Sequence, residues 1–327
     1  MLVSIQFLRA FASIIVVLHH IAYKDKIYGN NLLNFFIFGE IGVDIFFIIS
    51  GYIMMYSTHK KDISATTFIK NRIIRIIPLY WTLTIFAFII FLILPDKVNS
   101  SGGETMIFES FFLIPTEGKY LIQNGWTLRY EFLFYFIFMI SLFLQNKRFI
   151  AIIIISLLFI GQIFEINNTY LKFITHNLLL EFLFGIFLYF FYQRYRKDNI
   201  LLSSILFILS ILSLYYFMEN SELIKSRAIF YGIPALLFCS SFLFLENKLQ
   251  KFKKFIFPLG DSSYSLYLVH PFVLVANAII IKKIYFQSIY YDLLLISSML
   301  LSSIICGILT YKYIEIKQIN YLKKKKA

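Results

Sequence analysis

Apolar runs of about twenty residues recur along this chain with only short polar connections between them, a rhythm that few folds accommodate. They fall at 4–23, 35–56, 75–94, 126–145, 149–165, 175–192, 200–217, 228–245, 261–281 and 293–312. Crossing a ~30 Å hydrocarbon core takes about 20 apolar residues in a helix, and the fifth run is the short one. Inside a bilayer no water satisfies backbone N–H and C=O groups, so each run must satisfy its own by forming a helix. The expected fold is an all-α polytopic membrane protein, a bundle of ten transmembrane helices forming one integral-membrane domain over 1–327.

Composition supports the same reading. Of the residues 59% are hydrophobic, 20% aromatic and only 15% charged, where a soluble domain carries about a quarter charged residues. A net charge of +13 by itself would raise nucleic acid as a partner, but the cations stand in short runs between apolar segments, which is membrane patterning. One set of connections is rich in them: Lys60, Lys61, Lys70 and Arg72; Lys147 and Arg148; Arg194, Arg196 and Lys197; Lys248, Lys251, Lys253 and Lys254; and Lys323–Lys326. The alternating set is poor, with Lys24 and Lys26, Lys97 and Lys119, Lys172, Lys225 and Arg227, and Lys282 and Lys283. The positive-inside rule puts the rich set and both termini in the cytoplasm. Cys239 and Cys306 lie within apolar runs, so neither a disulfide framework nor a thiolate metal site is expected. The first apolar run reads as a retained span with no cleavage pattern. The longest outer connection, 95–125, holds Pro95, Gly102, Gly103, Pro115 and Gly118 and reads as a loop or lid over the outer face.

Chemistry-bearing residues stand where apolar ones would cost less. Arg9 and His20 sit in the first run, eleven positions apart, hence on one helix face and about 16 Å apart along the axis. Ionisable groups in a span usually face a bundle interior or wet cavity and mark a functional site. In GVDIFFIISGY (42–52), Gly42, Ser50 and Gly51 read as close-packing residues, whereas Asp44 is a carboxylate that needs a partner. Arg72 and Arg75 share a face at the entrance of the third span, a pair suited either to anchoring or to phosphate. In GWTLRYE (125–131), Arg129 and Glu131 point to different sides of a helix, so each calls for a partner elsewhere; Trp126 and Tyr130 stand beside them at the outer interface. Glu181 is a second carboxylate within an apolar run, and His270 precedes Pro271 in a segment whose Asp261 or Ser262 is placed to cap the ninth helix.

Together RAFASIIVVLHH (9–20), GVDIFFIISGY (42–52), RIIRIIPLYW (72–81), GWTLRYEFLFY (125–135), LLLEFLFGI (178–186) and GDSSYSLYLVHP (260–271) resemble the membrane acyltransferase-3 family. The likeness runs in order from the first span to the ninth, nearest to bacterial exopolysaccharide and O-antigen O-acetyltransferases. It implies a donor of acyl-CoA type, usually acetyl-CoA, a sugar hydroxyl of a polysaccharide or lipid-linked oligosaccharide as acceptor, no metal, and a place in the bacterial cytoplasmic membrane. It points to Arg9 and His20 as the family's paired arginine and histidine, and to Arg72 and Arg75 as its second arginine motif. On that reading Arg9, Arg72 and Arg75 hold coenzyme A phosphates and His20 is the general base, with Arg9 beside it as a catalytic partner. Asp44, Trp126, Arg129, Glu131, Glu181 and His270 bind the acceptor. The competing readings are a multi-pass transporter or flippase for a sugar-linked or anionic solute, which leaves the motif order unexplained, and a non-catalytic scaffold, which leaves Arg9, His20, Asp44 and Glu181 without a reason.

Overall fold

The computed structural model describes residues 2–27, 33–59, 63–98, 103–164, 166–195, 197–220, 222, 226–281 and 289–324. Lys60, Lys61, Arg196, Lys225, Lys282, Lys283, Lys325 and Lys326, used above for orientation, and Gly102 of the outer connection lie outside them. Among the described residues all regular structure is helical, and the β-interaction present is an isolated bridge between Thr105 and Lys119. The principal helices are α1 (Val3–Ile27), α2 (Ile41–Thr58), α3 (Ala65–Ile93), α4 (Gly125–Phe143), α5 (Arg148–Ile163), α6 (Leu179–Arg194), α7 (Ile200–Glu219), α8 (Gly232–Leu243), α9 (Lys253–Ile281) and α10 (Ile289–Thr310). Eight helical stretches among the described residues are long and apolar enough to cross a membrane; Phe149–Ile163 and Arg227–Leu243 are shorter apolar ones. The protein is a multi-pass membrane protein.

Two helices start earlier than their apolar runs. α3 opens at Ala65, where the Ser64 hydroxyl accepts from Thr67 N at 3.2 Å, so Arg72 and Arg75 lie two to three turns inside the helix and not at its entrance. α9 opens at Lys253, which places Asp261 and Ser262 in the helix interior. Neither caps it: Asp261 accepts from Gln6, and the Ser262 hydroxyl bonds back to Pro258 O at 2.8 Å. A hydropathy count stops at Lys251, Lys253 and Lys254, but backbone hydrogen bonding does not.

The chain divides into two compact units, Met1–Val43 with Glu246–Ala327, and Asp44–Leu245. In the first, α1 packs on α9 and α10 around Val17, Ile21, Leu266, Leu274, Leu295 and Met299. The start of α1 is capped from far along the chain: the buried Glu246 carboxylate accepts from Val3 N at 2.9 Å, Ser4 N at 2.8 Å and the Ser4 hydroxyl at 2.6 Å. In the second unit α4 packs on α3, α5 and α6, while α8 packs on α6 and α7. Gly185 of α6 lets α2 approach backbone to backbone, since a Cβ there would collide with Ile48 O and stand 2.8 Å from Tyr52 N. Gly51 meets Phe182 in the same way, as expected of a packing glycine.

The 95–125 connection is tied down on α3. Tyr80 OH donates to Ser110 O at 2.5 Å and Trp81 Nε1 to Phe111 O at 2.8 Å, while the Ser110 hydroxyl accepts from Leu121 N at 2.8 Å.

Candidate active site

In the first unit α1 is an unbroken helix from Val3 to Ile27, so Arg9 and His20 keep the shared face that their spacing implies, about three turns apart. Arg9 Nη1 donates to Gln6 Oε1 at 3.2 Å, and Gln6 Nε2 donates to Asp261 Oδ1 at 2.6 Å, linking the guanidinium to a carboxylate of α9 through an amide. Close helix approach makes this possible. A Cβ on Gly260 would stand 2.6 Å from Gln6 Oε1.

At the other end of that face lie three imidazoles. The rings of His20 and His270 are 5.2 Å apart, and those of His19 and His20 also 5.2 Å. His19 turns away to Glu40, its Nε2 3.7 Å from Oε1, at the end of a short 3-10 helix over Asn34–Glu40. His270 is fully buried, and its Nδ1 is 3.1 Å from Leu266 O, one turn back in α9. Sequence reasoning assigned His270 to the acceptor; the fold places it against His20.

In the second unit Arg72 lies over the rings of Phe68 and Tyr135, 5.7 and 5.9 Å from their centroids. Among the described residues it makes neither a hydrogen bond nor a salt bridge, and its Nε is buried without a partner. Beside it Tyr135 donates to Glu131, which also accepts from the Ser50 hydroxyl at 3.2 Å. Glu131 and Arg72 thus reach the same ring, Tyr135, although they stand at opposite ends of the sequence-based map. The longer α3 accounts for this.

Arg129 occupies an aromatic cage, 5.2 Å from the Tyr130 centroid, 5.5 Å from Phe173 and 5.8 Å from Tyr120. Its Nη1 reaches Tyr120 OH at 3.4 Å and Thr116 O at 3.5 Å, so the cage holds the 95–125 connection to α4. Burial raises the Tyr120 phenol above its ordinary value, with the Arg129 charge pulling the other way. Arg129 and Glu131 do face different partners, as their spacing requires.

Asp44 finds the partner its depth demands in Arg227, through a two-point contact of Nε to Oδ1 at 3.1 Å and Nη2 to Oδ2 at 2.9 Å. The guanidinium also lies over Trp126 and Tyr231, at 5.8 and 5.0 Å. Glu181, fully buried, stands near enough to both for their charges to interact. Arg227 is the partner of Asp44 that sequence reasoning missed, having been counted only among loop cations. A findable signal was there: a lone buried carboxylate in α2, and few cations in the outer connections to answer it.

A family profile described as an acyltransferase domain matches residues 2–311. The chain belongs to the acyltransferase-3 family. Among the relatives of this acyltransferase is the exopolysaccharide production protein ExoZ of Rhizobium meliloti (strain 1021), 28% identical over 250 residues, which cover 73% of this chain and 78% of that one. The acyltransferase MdmB of Streptomyces mycarofaciens is 31% identical over 146 residues, 41% of this chain and 38% of that one. No solved structure matches. Membership carries the reaction class, transfer of an acyl group by a membrane protein.

Proposed function

We propose that this protein is an O-acetyltransferase that moves an acetyl group from acetyl-CoA to a hydroxyl of a cell-surface polysaccharide, or of its lipid-linked precursor, in the bacterial cytoplasmic membrane. The observation that carries the donor side is Arg72: a guanidinium inside a membrane helix, cradled by two rings, with no carboxylate answering it among the described residues. Such a group calls for an anion, and a planar fork suits phosphate. Arg75, three residues on, shares that role, with Trp126, Arg129, Glu131, Asp44 and Glu181 of the same unit on the acceptor side. The exopolysaccharide role printed for the Rhizobium relative supports a glycan acceptor.

In the reaction His20 removes the proton from the acceptor hydroxyl as its oxygen attacks the thioester carbonyl. The C–S bond breaks, and the coenzyme thiolate takes that proton back. The whole chain acts as one catalytic domain of ten spans with both termini cytoplasmic, an orientation supported by the asymmetry of its Lys and Arg.

Proton NMR of surface polysaccharide from cells with and without the gene tests this directly. An acetyl methyl signal that appears only with the gene is the expected result, and identical spectra would sink the reading. His20→Ala should lose about 10²–10⁴ in rate while the protein still accumulates in the membrane; His19→Ala, which removes a partly exposed pairing with Glu40, should retain most activity.

A further inference from the structure

The proton chemistry above leaves His270 unused, and its setting differs from that of His20. His270 is fully buried in α9, and its Nδ1 lies 3.1 Å from Leu266 O. A carbonyl oxygen only accepts, so Nδ1 carries the ring proton and Nε2 is left as a bare lone pair. That Nε2 is itself buried and, among the described residues, has no hydrogen-bond partner. A buried acceptor with nothing to accept is uncommon and costly, which makes it a place to look for a transient donor. The imidazole beside it is that of His20, the two ring centroids 5.2 Å apart. Among the described residues no ion pair joins His20 to a carboxylate, and Glu40 pairs with its neighbour His19.

We propose that His270 is the second member of a two-imidazole proton relay with His20. The inference rests on the acyltransfer reading above. When one ring nitrogen of His20 takes the proton from the acceptor hydroxyl, the N–H on its other nitrogen passes its proton to Nε2 of His270. The alkoxide oxygen forms the C–O bond, the C–S bond of the thioester breaks, and the departing thiolate draws a proton back from the pair. The two rings then return to their starting tautomers with no net proton gained or lost. Leu266 O holds the acceptor nitrogen in place, the orienting part that a carboxylate plays beside many catalytic histidines. His270 is a positioning residue: it acts on the substrate through His20.

His270→Gln keeps a polar side chain of similar reach but cannot carry a proton through. In membranes holding the full-length protein, this variant should lower kcat about 100-fold while leaving KM for acetyl-CoA and the melting temperature of the purified protein unchanged. A proton inventory in mixed H2O and D2O should show two protons in flight for the wild type and one for the variant. Unaltered kcat, or a loss that tracks the melting temperature, would overturn the relay. Solid-state NMR of protein labelled with 15N-histidine gives a readout independent of turnover: one protonated and one bare nitrogen on His270, with the His20 signals shifted in His270→Gln. If acetyl-CoA proves not to be consumed but that shift is seen, the donor assignment falls and the relay stands. If the shift is absent, the relay falls.

Discussion

Arg72 and Arg227 are the same side chain in the same unit, each over two aromatic rings, yet they are held in opposite ways. Arg227 has a carboxylate in two-point contact and is electrically complete. Arg72 lies over two rings, and among the described residues its buried Nε has no hydrogen-bond partner. Rings stabilise a guanidinium without neutralising it, so the charge at Arg72 remains available to a ligand while that at Arg227 is spent on Asp44. The lesson is that an arginine in a membrane helix is read by its missing partner. On the proposed function Arg227 holds the protein together, and Arg72 is the one that would take the donor's anion.

Breaking the complete pair should have the largest effect on folding. Arg227→Leu strands Asp44, which is fully buried, beside Glu181. The expected cost is about 3–5 kcal/mol, towards the lower end because Arg227 is partly exposed. It should show as a lower melting temperature in detergent, and Asp44→Asn in the same background should restore part of the loss. If Arg227→Leu is as stable as wild type, the contrast between the two arginines is wrong.

Arg72→Gln should behave in the reverse manner. No folded partner is stranded, so the melting temperature should hold, while acetyl-CoA binding weakens by about 1.5–3 kcal/mol, the range for hydrogen bonds to charged groups. Lys at this position should recover only part of the affinity, since an ammonium lacks the planar fork. Calorimetric titration of the purified variants decides the matter; undiminished affinity in Arg72→Gln would remove the residue from the donor site.

Arg129 sharpens the comparison from between. Its cage of three rings resembles that of Arg72, but it also reaches Tyr120 and Thr116 in the 95–125 connection. Arg129→Lys should cost only about 0.5–2 kcal/mol in stability, the scale of cation–π contacts. Limited proteolysis should then cut within 103–122 sooner than in the wild type. Unchanged proteolysis would mean that the cage does not hold the connection.

The helices were legible because most of the apolar runs are long enough to span and each must bond its own backbone. Their starts were not, because α3 and α9 run on through Lys70 and Lys254, where hydropathy falls without any loss of helical hydrogen bonding. Within the site, Arg9 and His20 could be put on one face because both lie on a single helix and 3.6-residue geometry suffices. Pairings across helices followed no such rule. That Asp44 needed a cation could be read from its depth, but which cation answers depends on how the helix Arg227–Phe230 lies against α2. The meeting of His20 with His270, 250 residues apart, depends likewise on the packing of α1 against α9. Ser50, read as a spacer, turned out to bond Glu131, since small polar residues do either job and only the neighbour decides.

The cap on α1 has a consequence for biosynthesis. Two backbone amides at the start of that helix find their acceptor in a glutamate 243 and 242 positions later. While the ribosome is still making the intervening helices, that end of α1 has only lipid headgroups and water to bond. The helix bearing Arg9 and His20 therefore settles late in assembly, after Glu246 has emerged. A chain cut short before that point would insert with the Arg9 end of that helix unanchored.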